Sequence, residues 1–191
     1  MLKHIGKKTG YFITAFGLLI VILAFSCFSE PGPTPPPNWY PDFASPFECL
    51  NNLIYCFDSY QTEPNIIDKY KQVLDSTYVF YFDPEDIGDI IGGYTIPSFW
   101  TYDEDWRATN NMFNLAYSID FKIPILGQGE DTFGKPAEGD ITFVKNDVTI
   151  SMTLMVDDTT GYIAQGVCDF KFVKNENGQW HLSEWRDHTA F

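Results

Sequence analysis

From Val148 to Asp187 the chain is written almost entirely as sheet. Three long stretches, Val148 to Val156, Tyr162 to Lys174 and Gln179 to Asp187, are rich in β-branched and aromatic residues, and DDTTG and NENG separate them. Asp, Asn and Gly are what tight hairpin turns require, so the three strands are antiparallel neighbours. In the first of them Val148, Ile150, Met152, Leu154 and Val156 take every second place. A period of two puts all five on one face, which predicts that this face is buried. Another layer must cover it.

The covering layer is written upstream, in a different period. Ser45, Pro46 and Glu48 form a capping box with proline at the first helical position. Leu50, Leu53, Ile54 and Phe57 then follow at i, i+3, i+4 and i+7. After TEP a second helix carries Ile66, Ile67, Tyr70, Val73 and Leu74, and Asp75-Ser76 closes it. Thr77 to Phe82 reads as a strand stopped by Asp83-Pro84, whose aspartate can cap a short helical turn. Thr101 and Glu104 repeat the capping box, and Tyr102, Trp106, Thr109 and Phe113 keep helical spacing, so Tyr102 to Leu115 is a third helix. SIDFKIPI, from Ser118, alternates as sheet, and a glycine-rich loop, Gly127 to Gly139, leads into the hairpins. No internal repeat is visible. Helices grouped early and strands grouped late predict an α+β domain, with helices packed on one face of a curved antiparallel sheet.

Residues 1–44 belong to neither layer. Met1 to Lys8 is cationic, and Tyr11 to Phe25 is an apolar run of signal-peptide length. The run is short for a membrane span, which needs about 20 residues, although an uncleaved signal anchor is the alternative reading. Cys27 follows ILAFS and precedes a polar segment with prolines at 31, 33, 35, 36, 37 and 41. This arrangement resembles a bacterial lipoprotein processing site, which implies residues 1–26 as signal peptide and Cys27 as the acylated first residue of the mature chain. It departs from the usual pattern in having Ala24 and Phe25 at the two places before Ser26. Residues 27–44 then form a proline-rich tether, semi-rigid at about 3.1 Å per residue where it is polyproline helix, and residues 45–191 form the domain. The implied location is the cell envelope, lipid-anchored and extracytoplasmic.

The three lysines before Cys27 have no acidic counterparts there, so the rest of the chain sets all 26 acidic side chains against the remaining 9 of its 12 basic ones. A body so acidic repels nucleic-acid phosphates and anionic lipid surfaces, leaving the leader as the only route to a membrane. Cys49 and Cys56, seven apart in a helix, are separated by about 10 Å, beyond disulfide reach. Cys168 could meet either of them or remain a buried thiol. No Cys/His spacing suggests zinc, and the acids of DPEDIGD and TYDEDW lack calcium-loop spacing, so neither a metal nor a cofactor is expected.

The last hairpin, FKFVKNENGQWHLSEWRD, with Trp180, Leu182, Trp185 and Asp187 after its glycine turn, resembles the final hairpin of the NTF2-like (cystatin-like α+β) superfamily. The order of helices and strands from Ser45 agrees, as do YKQVLDSTYVFYF and the Trp100/Glu104 segment, and in detail the chain looks most like bacterial NTF2-like lipoproteins. The resemblance implies a cone-shaped cavity between helices and sheet, used in different members for catalysis, for small-ligand binding or for association. Trp100, Trp106, Trp185, Asp187 and Tyr81 are the candidate lining of that cavity. A non-catalytic domain that binds a small ligand or a protein, and could form a homodimer through an exposed sheet face, is the first reading. The alternative is a small acid/base enzyme of isomerase or dehydratase type, for which Tyr78, Tyr81, Asp120, Asp187 and His188 are residues of suitable chemistry outside any specific motif.

Overall fold

A computed structural model of the chain describes residues 38–91 and 94–188. The leader, Cys27 and most of the proline-rich segment lie outside the described residues. The elements run α1 (Pro46–Asp58), α2 (Ile66–Val73), β1 (Leu74–Tyr81), β2 (Ile90–Ile91), β3 (Tyr94–Thr95), β4 (Phe99–Thr101), α3 (Tyr102–Leu115), β5 (Ser118–Lys122), a 3-10 turn (Pro124–Gln128), α4 (Glu130–Phe133), β6 (Thr142–Met155), β7 (Gly161–Lys174) and β8 (Trp180–His188). Six strands form one sheet in the order β4-β1-β8-β7-β6-β5, and β2 pairs with β3 in a small separate ribbon. Helices on a curved sheet is the architecture expected from the sequence. One detail differs: β1 lies parallel to β8, so the sheet is mixed. The chain reaches β8 from β1 by way of every later element, and period-two patterning carries no information about such a distant pairing.

The capping box at Thr101 is formed, and at Ser45 half of it is, because the Glu48 carboxylate accepts from the Ala44 N–H (2.7 Å) in place of the Ser45 N–H. Ser45 Oγ accepts from the Glu48 N–H at 3.2 Å, and Glu104 accepts from both the N–H (2.9 Å) and the hydroxyl (2.8 Å) of Thr101. Most of the α1 stripe is buried as predicted: Leu50, Leu53 and Phe57, with Cys49 and Cys56, face the sheet, while Ile54 is half-buried at its margin. Strand β1 starts at Leu74, immediately after α2, three residues before the expected Thr77. The glycine-rich loop contains α4, which buries Phe133 completely against Phe47, Phe143 and Phe172.

Curvature of the sheet can be read from its rings. Phe121 on β5 stacks on Trp185 of β8 with centroids 6.1 Å apart, although two strands lie between them. In a flat sheet those two strands would be about 14 Å apart. Extra residues bend the strands: the β6–β7 register shifts between Lys145 and Val148, where Asp147 takes a positive φ of 57°, and the β7–β8 register shifts beside Ser183. The expected buried face of β6 is correspondingly incomplete. Val148 is buried, Ile150, Met152 and Leu154 are half-buried, and Val156 is exposed, because the far ends of β6 and β7 run beyond the helical layer.

The packed part begins before Ser45. Tyr40 donates its N–H to Asn52 Oδ1 (2.7 Å) and accepts from Asn52 Nδ2 (2.8 Å), while Phe43, buried at φ 48°, accepts from the Trp180 N–H. Phe43 also stacks on His181, whose Nδ1–H donates to Gln72 O (2.8 Å) while Nε2 accepts from Asn175 Nδ2 (3.0 Å). These bonds fix the His181 tautomer and leave neither nitrogen free. Residues 39–43 therefore belong to the domain, not to the tether. Asn52→Ala removes both side-chain bonds to Tyr40 and should destabilise the domain by about 2 kcal/mol, seen as a lower denaturation midpoint together with faster proteolysis within residues 39–43.

Candidate functional site

The hollow between helices and sheet is filled in its depth by rings. From the helical side, Phe57 meets Phe113 (5.4 Å), Tyr70 (6.2 Å) and Phe121 (4.5 Å). From the sheet, Trp185 meets Phe80 (5.5 Å), Phe121 (6.1 Å) and Phe170 (4.9 Å). Five of these six pairs are edge-on or tilted, geometries that aromatic quadrupoles prefer, and the rings other than Phe80 are buried, so this throat is packed core.

Against the throat sits a buried polar group that sequence reasoning missed. Asp105, in the first turn of α3, is 6% exposed and accepts from the Tyr70 hydroxyl at 2.6 Å. Burial pushes the Asp105 carboxyl up to about 6, an effect the Tyr70 hydrogen bond opposes. Burial and the Asp105 charge hold Tyr70 well above the ordinary tyrosine range, and the same two causes raise Tyr78. Among the described residues Tyr78 Oη and Trp185 Nε1 are buried without a hydrogen-bond partner. The signal for Asp105 was in the spacing: it lies four and eight residues before Thr109 and Phe113, the other buried residues of α3. Acids in a helix's first turn complement the helix dipole whichever way they point, and of the three in this turn Asp105 points inward.

The candidate lining divides. Trp185 lies in the throat. Asp187 follows it on the same face, half-buried, its carboxyl raised by burial and then by the nearby Asp83 charge. Trp100, half-buried opposite Phe80 on β1, packs edge-on against Phe82 (4.8 Å) and donates Nε1–H to the Tyr94 hydroxyl (2.8 Å). These three border the hollow. The other two do not. Trp106 is half-buried on the α2 side of α3, donating to Asp103 (3.1 Å) with the Lys71 ammonium 3.9 Å over its ring. Tyr81 is on the reverse of the sheet under the Arg186 guanidinium at 4.0 Å. Strand alternation separates Tyr81 from Phe80 and Arg186 from Trp185.

The acid/base candidates do not converge either. Asp120 pairs with Lys122 (2.6 Å) on the exposed edge strand. His188 bonds Asp169 (2.9 Å) on the face opposite Asp187. Cys49, Cys56 and Cys168 are free and buried, so neither pairing of Cys168 is made. Burial raises all three thiols, Cys56 to about 12, which leaves no reactive thiolate among them. The described residues contain no group of three or more metal-ligating side chains. An open groove of about 380 Å³ lies outside the hollow, along Ser76–Val79 and the start of α3 at Thr101–Asp103.

Among solved structures, the chain is similar to a nuclear transport factor 2 (NTF2-like) superfamily protein from Salmonella enterica serovar Typhimurium, with a TM-score of 0.50 at 13% identity over 76% of this chain and 89% of that one. It is similar also to a protein from Thiobacillus denitrificans described as a calcium/calmodulin-dependent protein kinase type II association domain, with a TM-score of 0.50 at 8% identity over 80% of this chain and all of that one. At such identities the likeness is one of fold. No family model and no curated protein matches the chain.

Proposed function

We propose, from the NTF2-like fold that this chain has, that the domain is a non-catalytic binding module, held outside the cytoplasm on a membrane of the bacterial cell envelope by an acylated Cys27. The observation that supports it is the filled throat: Phe57, Phe121, Phe170 and Trp185 occupy the space where a substrate would meet a base, and the buried acid, Asp105, is enclosed behind them. What stays open is the rim. Phe82, Trp100, Ile150, Met152 and Leu154 are half-buried on the concave face, with Asp187 among them. Apolar walls around Asp187, with the Asp83 and Asp86 charges near it, suit a small apolar ligand that carries a hydrogen-bond donor or a positive charge, or an apolar protein segment. A catalytic alternative rests on Asp187 alone, whose raised carboxyl is the one candidate base at the rim.

Two measurements test the proposal. Cells fed radiolabelled palmitate should label the wild-type chain and not Cys27→Ser, and a mature membrane protein with Met1 intact and Cys27 unmodified would overturn the anchor. For the rim, Met152→Lys should weaken binding of an apolar fluorescent probe about tenfold, or about 1.4 kcal/mol. Unchanged probe affinity would remove the rim as the binding surface. Turnover that is lost in Asp187→Asn would replace the binding reading with the catalytic one.

A further inference from the structure

The sheet has one long edge that nothing described guards. Strand β6 pairs with β7 along its whole length, down to Met155 opposite Gly161, whereas β8 joins β7 only from Val167 opposite His188. Along Gly161–Gly166 one side of β7 therefore has no strand partner among the described residues. Residues 161–165 are all exposed, Tyr162 at 62% and Ile163 at 73%. No charged residue occurs between Asp158 and Asp169, in a chain that has 26 acidic side chains to place. The two outer edges are protected in the ways edge strands usually are. Strand β4 is three residues long, and β5 is five residues long, carries Asp120 and Lys122 and is followed by Pro124. The Gly161–Gly166 edge has no charge and no proline.

We propose that this edge pairs antiparallel with the same edge of a second copy of the chain, joining two sheets into one. The occupant follows from the chemistry of the edge. It has no charge with which to select a charged partner strand, and a second copy brings no like charge against it, so two otherwise acidic bodies can approach there. An antiparallel edge is also its own complement under two-fold symmetry. A two-fold axis normal to the sheet keeps side chains on the face they started from, so the central residue of the segment must oppose its own copy. For Gly161–Gly166 that residue is Ile163 or Ala164. Pairing covers Tyr162 on the concave face and Ile163 on the convex face, and satisfies the free main-chain groups of both copies. It does not depend on the anchor or on the rim as a binding surface.

The test uses the full chain in detergent. Wild type should be dimeric by light scattering, and Ile163→Lys monomeric with an unchanged circular dichroism spectrum, since that side chain is mostly in solvent. Directly opposed residues in an antiparallel pair have Cα atoms about 4.5–5.5 Å apart, within disulfide range. Mild oxidation should therefore link two chains through either Ile163→Cys or Ala164→Cys, and not through Glu138→Cys on an exposed loop. A monomeric wild type, or failure of both edge cysteines to link two copies, overturns the proposal. So does an intrachain link in the double variant Ala164→Cys with Ala190→Cys, which would show the residues after His188 occupying the edge instead.

Discussion

Replacing Trp185 with alanine is expected to destabilise the domain by about 3–5 kcal/mol, read as a lower midpoint in urea. The side chain joins three strands: its ring meets Phe80 on β1, Phe121 on β5 and Phe170 on neighbouring β7. Truncation leaves a cavity that these rings cannot close without flattening the sheet, because the curl is what brings Phe121 to Trp185. Trp185→Phe should cost far less. It keeps one ring, and it removes an indole N–H that is buried without a partner, a group whose burial costs about 1–3 kcal/mol. The pair of variants also tests whether the throat is full. A dry apolar cavity lined by rings takes up small aromatic molecules. Indole should therefore raise the midpoint of Trp185→Ala, by ligand linkage, and leave wild type unmoved. If indole stabilises wild type equally, the throat already admits a ligand, and the argument for a module that binds only at its rim fails.

The parts of this fold that were legible in the sequence are those set by local chemistry. Capping at Ser45 and Thr101, the α1 stripe, the three helices and the long hairpin strands all follow from spacings of a few residues, and the structure has them. What was not legible depends on distant chain. Alternation in β6 says which side chains share a face, and it cannot say where the helical layer stops, so Leu154 and Val156 were assigned to a core that ends near Val148. Strand β4, three residues long, is too short to show a period. The parallel pairing of β1 with β8 leaves no trace in either strand's own pattern. The site divides in the same way. Trp185 and Asp187 came from the resemblance of the last hairpin; strict alternation from Trp180 and Leu182 would have put them on the other face, and the bulge beside Ser183 returns them to the core side. Trp106 was among the candidates for the lining and Asp105 was not, because residue type alone marks an aromatic as lining and a carboxylate as surface, although the helix buries the carboxylate and packs the half-buried indole under Lys71.

Asp105 carries the second large effect, and it depends on pH. Its carboxyl is raised from an ordinary 3.8 to about 6 by burial, against the Tyr70 hydrogen bond. The folded state therefore holds this proton more tightly than the unfolded chain does. Below about pH 4 both states are protonated and the contribution to stability is complete. Between about pH 4 and 6 the unfolded chain ionises this carboxyl while the folded protein, which holds it away from water, does not, and once pH has risen through 6 the loss is complete at about 2–3 kcal/mol. Asp105→Asn keeps an oxygen to accept from Tyr70 and cannot ionise. It should be more stable than wild type by that amount at pH 8, and the two curves should converge toward pH 4. Other carboxyls add slopes of opposite sign, since Asp169, Asp157, Glu63 and Glu104 are held below their ordinary range. Those slopes are common to both proteins and cancel in the difference. A difference in urea midpoint that stays flat between pH 5 and 8 would mean that Asp105 is solvated in the folded state. The throat would then be open to water from the α3 side, and an acid that water can reach, beside the hydroxyls of Tyr70 and Tyr78, would return the catalytic reading to the inside of the cone.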